Sequence, residues 1–136
     1  MRVEPRLLAD FEGRWQITRS ISHANAPPAR FHGEAIFAPS AGGLSYEEAG
    51  SLAIQGQVPM SSSRRYLWKP DLTVWFDDGS FFHQVPPSGG QAAHWCDPDH
   101  YAVTYRFRNW PNFSVDWVVV GPRKDYRMRS QYVRLP

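Results

Sequence analysis

The chain has 136 residues, with 15 Lys and Arg against 13 Asp and Glu for a formal charge of +2. Scattered basic residues and so small a net charge speak against a nucleic-acid-binding surface, and no apolar run approaches the ~20 residues of a membrane span. A lone cysteine, Cys96, rules out an intramolecular disulfide, and Met1 to Asp10 lacks a signal-peptide core, so a cytoplasmic protein is expected, without nucleic acid or membrane as partner.

The length fits a single domain spanning residues 1–136. Six Trp, six Tyr and eight Phe supply an aromatic core that needs little Leu. In chain order, Glu4 to Phe11 reads as a short helix, with Pro5 near its start and Leu7, Leu8 and Phe11 on one side. Gly13-Arg14-Trp15 then opens the first strand, in which Trp15, Ile17, Arg19 and Ile21 share a face. Turn signals follow at Ala26-Pro27-Pro28, Pro39 to Gly43, Gly50 to Gly56, Pro70-Asp71, Asp78-Gly79, Pro86 to Gly90, Asp97-Pro98-Asp99, Asn109 to Asn112 and Gly121-Pro122. The stretches between them are rich in β-branched and aromatic residues. About ten strands result, the pattern of an all-β sandwich or barrel.

Parity assigns faces. Leu44, Tyr46 and Glu48 share one. From Arg64 to Lys69 two readings compete, a short loop placing Arg65 inward and hydrophobicity preferring Tyr66 and Trp68. Asp78-Gly79 suits a two-residue type I′ hairpin that sets Phe76 opposite Phe81 and Val74 opposite His83. Leu72, Val74, Phe76, Phe81, His83 and Val85 then face inward, with Thr73, Trp75, Phe82 and Gln84 outward. A loop after Cys96 puts His94 and Cys96 on the face of Tyr101, Val103, Tyr105 and Phe107. Further on, Phe113, Val115, Trp117 and Val119 face inward, and Tyr126, Met128, Ser130, Tyr132 and Arg134 share a face. In the basic run Arg123, Lys124, Arg127 and Arg129, the last two are two apart and share the outer face of a strand, so the run reads as solvated.

A short helix, Gly13-x-Trp15 in the first strand and Arg134 in the last, placed to lie over the Trp15 ring, resemble the closed end of a lipocalin-like (calycin) barrel. More specifically, the chain is similar to a small bacterial family of unknown function with that architecture. The segments concerned are Tyr46-x-Glu48-x-Gly50, Tyr66-Leu67-Trp68, Phe76-Asp77-Asp78-Gly79, Phe82-His83, His94-x-Cys96-x-x-Asp99-x-Tyr101 and Trp117-x-Val119-x-Gly121-Pro122-x-Lys124-Asp125-Tyr126. The resemblance implies a single antiparallel up-and-down barrel from about Phe11 onward and carries no settled activity. Some ten-stranded barrels of this kind hold haem through a His close to the C-terminus; no His follows His100 here, which leaves His83 or His94 for that role.

Glu48, His83, His94, Cys96, Tyr105, Ser130 and Tyr132 are polar groups on inward faces, which a barrel must pair, hydrate or use on a ligand. The reading that uses them is a small apolar or aromatic ligand held inside the barrel. Its walls are Trp68, Phe76, Phe81, Val103, Phe107 and Trp117, and its anchors Tyr46, Glu48, His83, His94, Tyr105 and Tyr132. One alternative is an enzyme using His83 or His94 as general acid or base in the same cavity. A filled barrel presenting Trp75, Trp95 and Trp110 to a partner is another. His83, His94 and Cys96 have zinc-ligand chemistry without an established motif, so no metal and no particular cofactor is assigned. A monomer and a dimer are equally compatible with the sequence.

Overall fold

The structure, a computed structural model, describes residues 3–96 and 98–136, the side chains of residues 93–96 excepted. A 3-10 turn, Leu8–Phe11, leads into ten strands: β1 (Gly13–His23), β2 (Ala29–Ser40), β3 (Gly43–Ile54), β4 (Met60–Trp68), β5 (Thr73–Phe76), β6 (Phe81–Gln84), β7 (Gly90–Cys96), β8 (Asp99–Arg106), β9 (Phe113–Val120) and β10 (Asp125–Arg134). All ladders are antiparallel, and the strand order β6-β5-β4-β3-β2-β1-β10-β9-β8-β7 is a meander whose first and last strands also pair. The sheet closes on itself except at one seam, between β6 and β7, where no ladder forms among the described residues. This is the single antiparallel up-and-down barrel of about ten strands that the resemblance implied.

Alternation explains the closure. Along β1, Trp15, Ile17 and Arg19 are buried while Gln16, Thr18 and Ser20 are exposed, and β2, β3 and β10 alternate likewise. Outward charges pair across strands: Arg65 with Glu47 at 3.1 Å, and Asp116 with Arg106 at 2.5 Å and Arg129 at 3.0 Å. The ambiguity at Arg64 to Lys69 resolves with Arg65 outside and Trp68 buried, because β4 pairs Tyr66 with Tyr46 and Trp68 with Leu44.

One end is plugged. Phe11 has no exposed surface and touches Phe37, Trp68, Phe107, Trp110 and Phe113, with ring centroids 5.1–5.9 Å away. Trp15 donates its indole N–H to the Phe11 carbonyl at 2.9 Å. Arg134 lies over the Trp15 ring, 4.2 Å from its centroid, and donates to the carbonyls of Glu12, at 3.0 Å, and of Asp10.

Three expectations need correction. The helix over Glu4 to Phe11 is only the four-residue 3-10 turn, entered from extended Leu7. So short a segment gains too few hydrogen bonds to offset nucleation, and burial of Phe11 together with the bonds from Trp15 and Arg134 to the Asp10, Phe11 and Glu12 carbonyls holds its shape. The hairpin at Asp78-Gly79 has a three-residue loop: the Phe76 N–H donates to the Ser80 carbonyl at 2.8 Å, with Gly79 at φ 89°. Trp75 therefore pairs with Phe81 and Val74 with His83, leaving Phe82 as the extra residue of a bulge. Phe82 and His83 are both buried, whereas Phe81 turns out toward Trp75 and is 40% exposed. Finally, Trp110 is part of the plug, stacked on Phe113 at 5.7 Å beneath the Arg6 guanidinium.

Candidate functional site

Register brings a polar network to the middle of the barrel. On β1, Arg19 is flanked by Phe31 of β2 and Ser130 of β10. Its Nε donates to Ser130 Oγ at 2.7 Å, and its guanidinium lies 5.2 Å from the Phe31 ring centroid. Its two terminal nitrogens donate to the two Glu48 oxygens, at 2.6 and 2.9 Å, across the intervening β2. That strand offers only Gly33 and Ala35 inward at this level, so the pair has room to form. At Gly33 even a Cβ would stand 2.8 Å from the end of the Phe31 ring and 2.3 Å from the Ala49 carbonyl. The Tyr46 hydroxyl donates to Glu48 Oε1 at 2.5 Å and meets the Tyr132 hydroxyl at 2.7 Å. A second pair, His83 Nε2 and the Tyr105 hydroxyl, is 2.8 Å apart.

Burial and charge set the protonation states. Burial opposes ionisation of Glu48, and the hydrogen bonds and charge of Arg19 outweigh it, holding the carboxyl below its usual 4.5. The Arg19 guanidinium is likewise disfavoured by burial and raised on balance by Glu48. Burial pushes the Tyr46 and Tyr105 hydroxyls far up and, with Glu48 nearby, Tyr132 to about 12. The three phenols remain protonated at neutral pH as hydrogen-bonding groups.

Tyr46, Glu48, Trp68, His83, Tyr105, Trp117 and Tyr132 all line one cavity, together with Phe82, Arg19 and Arg64. Of the remaining anticipated residues, Phe81 lies outside the cavity because of the bulge. The side chains of His94, Trp95 and Cys96 lie outside the described residues, with the backbone register setting His94 opposite Tyr101 and Cys96 opposite Asp99. Among the described residues, no three His, Cys, Asp or Glu side chains converge as metal ligands.

The cavity measures about 30 Å³, counted as the space open to the centre of a water-sized sphere. That is room for on the order of two waters. Away from the Arg134 plug, the inward side chains of Ile21, Leu52, Arg64, Tyr66, Tyr101, Trp117 and Tyr126 are only half-buried, which marks this end as the mouth.

Besides Phe82, which parity sets outward, two charged cavity residues escaped the sequence reading. Arg19 already shared a face with Ile17 and Ile21, and a charged residue within an apolar row was the signal to pursue. Arg64 has the parity of Tyr66 and Trp68 and faces inward with them. Its charge pulls the Tyr66 hydroxyl down against the larger effect of burial.

Residues 11–134 match DUF6314, a family of unknown function. The chain belongs to that family. No curated protein matches this DUF6314 member significantly. Among solved structures, it is similar to the S-type phycobiliprotein lyase CPES from Guillardia theta, at a TM-score of 0.66 and 9% identity over 95% of this chain and 90% of that one. At such low identity the likeness concerns the barrel fold alone. Among the described residues no helix is long and apolar enough to cross a membrane.

Proposed function

We propose that this DUF6314 member binds a small, largely aromatic or apolar ligand inside the barrel, between the Arg134 plug and the open mouth. The observation that carries this reading is the convergence on one ring-walled cavity of the Arg19–Glu48–Tyr46–Tyr132 network and the Tyr105–His83 pair. Apolar walls with a few oriented polar groups are what a small-molecule site requires. The anchors are Tyr46, Glu48, His83, Tyr105 and Tyr132; Trp68, Phe82 and Trp117 supply the walls. His94 keeps its place among the proposed anchors by its position on β7.

In its present conformation the cavity accommodates water only, so a ligand must displace side chains. The half-buried Tyr66 and Trp117 line the cavity at the mouth and are the side chains a ligand would displace. Protonated phenols favour binding over proton transfer, since Tyr105 and Tyr132 offer hydrogen bonds rather than bases.

Native mass spectrometry of the purified protein, with its visible spectrum, tests the proposal. A bound organic mass that is released on denaturation, and retained less well by Tyr132→Phe, is the expected result. Absence of any bound mass, together with no saturable binding of the neutral fluorophore phenylnaphthylamine, would overturn it.

A further inference from the structure

Arg64 stands on β4 directly opposite Glu48 on β3, half-buried on the inward face at the mouth. Glu48 is already committed: both of its oxygens accept from Arg19, and one also accepts from Tyr46. Arg64 is left with neutral neighbours, among them the Tyr66 hydroxyl, which accepts from it. Its guanidinium carbon lies 5.6 Å from the Trp117 ring centroid, and one terminal nitrogen approaches the Met128 sulfur at 3.6 Å. Neither partner carries a charge, and among the described residues no carboxylate lies within ion-pair distance of Arg64. The cavity is therefore lined by two guanidinium groups and one carboxylate, and the uncompensated cation is the one at the mouth.

A guanidinium turned inward, when Arg65 next to it pairs with Glu47 outside, gives up hydration with no counter-ion of its own, since the Glu48 carboxylate that feels its charge is already bonded to Arg19. Its fork of N–H donors matches a carboxylate, sulfonate or phosphate. Resting on the proposal that the barrel holds a ligand, we infer that this ligand is an amphipathic anion, its aromatic or apolar body among the rings and its acidic group at the mouth on Arg64. The Trp117 ring and the Met128 sulfur hold the guanidinium in place without neutralising it. The ligand thus enters body first, and the Arg19–Glu48 network meets its far end.

The test uses two fluorophores of one skeleton: anilinonaphthalene sulfonate, which is an anion, and its uncharged parent phenylnaphthylamine. Wild-type protein binds the sulfonate more tightly than the parent. Arg64→Gln lowers sulfonate affinity about tenfold and leaves the parent within about twofold, the loss expected for one charge-assisted contact. Arg64→Lys recovers part of that loss, and Arg65→Gln on the outer face changes neither affinity. Thermal melts that remain cooperative establish that the variants are folded. If the two fluorophores bind equally, or if Arg64→Gln weakens both alike or Arg65→Gln weakens the sulfonate as much, the anionic assignment fails while cavity binding stands. If neither fluorophore binds, both readings fail together.

Discussion

Arg19 and Glu48 meet through two parallel hydrogen bonds of 2.6 and 2.9 Å inside a barrel otherwise walled by aromatic rings. Their side chains are 6% and 2% exposed, so both charges have left water and depend on each other. Removing one member leaves the other buried and unpaired. Glu48→Gln should therefore cost about 3–5 kcal/mol in urea denaturation. Replacing both, as Arg19→Met with Glu48→Leu, should cost clearly less than the sum of the single changes. Additive losses would mean that the two groups act independently.

Acid sensitivity follows from the same pair. Glu48 is held below its ordinary 4.5 in the folded protein, so its contribution to stability is fully present above about that pH. The folded state binds this proton less readily than the unfolded chain, so the contribution declines as pH falls below 4.5 and through the folded value. Midpoints of urea unfolding measured between neutral and acidic pH should fall more steeply below this point for wild type than for Glu48→Gln. Parallel profiles would assign the acid limb to other carboxylates, with Asp116 the first to test.

Arg134 joins the last strand to the plug through the Trp15 ring and two carbonyls. Arg134→Ala should lower stability by about 2 kcal/mol, the combined scale of a cation–π contact and hydrogen bonds from a charged donor. Ligand affinity should be spared, since the mouth lies at the opposite end. Loss of phenylnaphthylamine binding in a variant with an unchanged melting temperature would contradict the assignment of this end as a plug.

The bulge in β6 makes neighbouring phenylalanines unequal. Phe82 is fully buried, stacked on Phe76 at 4.5 Å and edge-on to Trp117 at 5.1 Å, whereas Phe81 is 40% exposed. Phe82→Ala should cost about 3–5 kcal/mol, and Phe81→Ala about 1 kcal/mol or less. Equal costs in denaturant titrations would argue for the unbulged register.

By itself the sequence determined an all-β fold of about ten strands. Period-two alternation and regular turn signals specify which face of each strand is buried, which leaves a sandwich or a barrel, and the resemblance carried by Gly13-x-Trp15 and Arg134 chose the barrel. The same resemblance pointed to the plug of Trp15 and Arg134, and inward parity nominated Tyr46, Glu48, His83, Tyr105, Trp117 and Tyr132, whereas Trp68 rested on hydrophobicity against a competing register. Tertiary structure decided what parity cannot encode. One extra residue at Phe82 turns Phe81 outward and leaves Phe82 and His83 both inward, because a bulge changes the count of opposed residues without changing the local pattern. The pairing of Arg19 with Glu48 crosses a whole strand, and it forms only because Gly33 and Ala35 leave space between them. With that carboxylate taken, Arg64 is left without an ion-pair partner of its own, a property that belongs to three strands together and to no stretch of sequence.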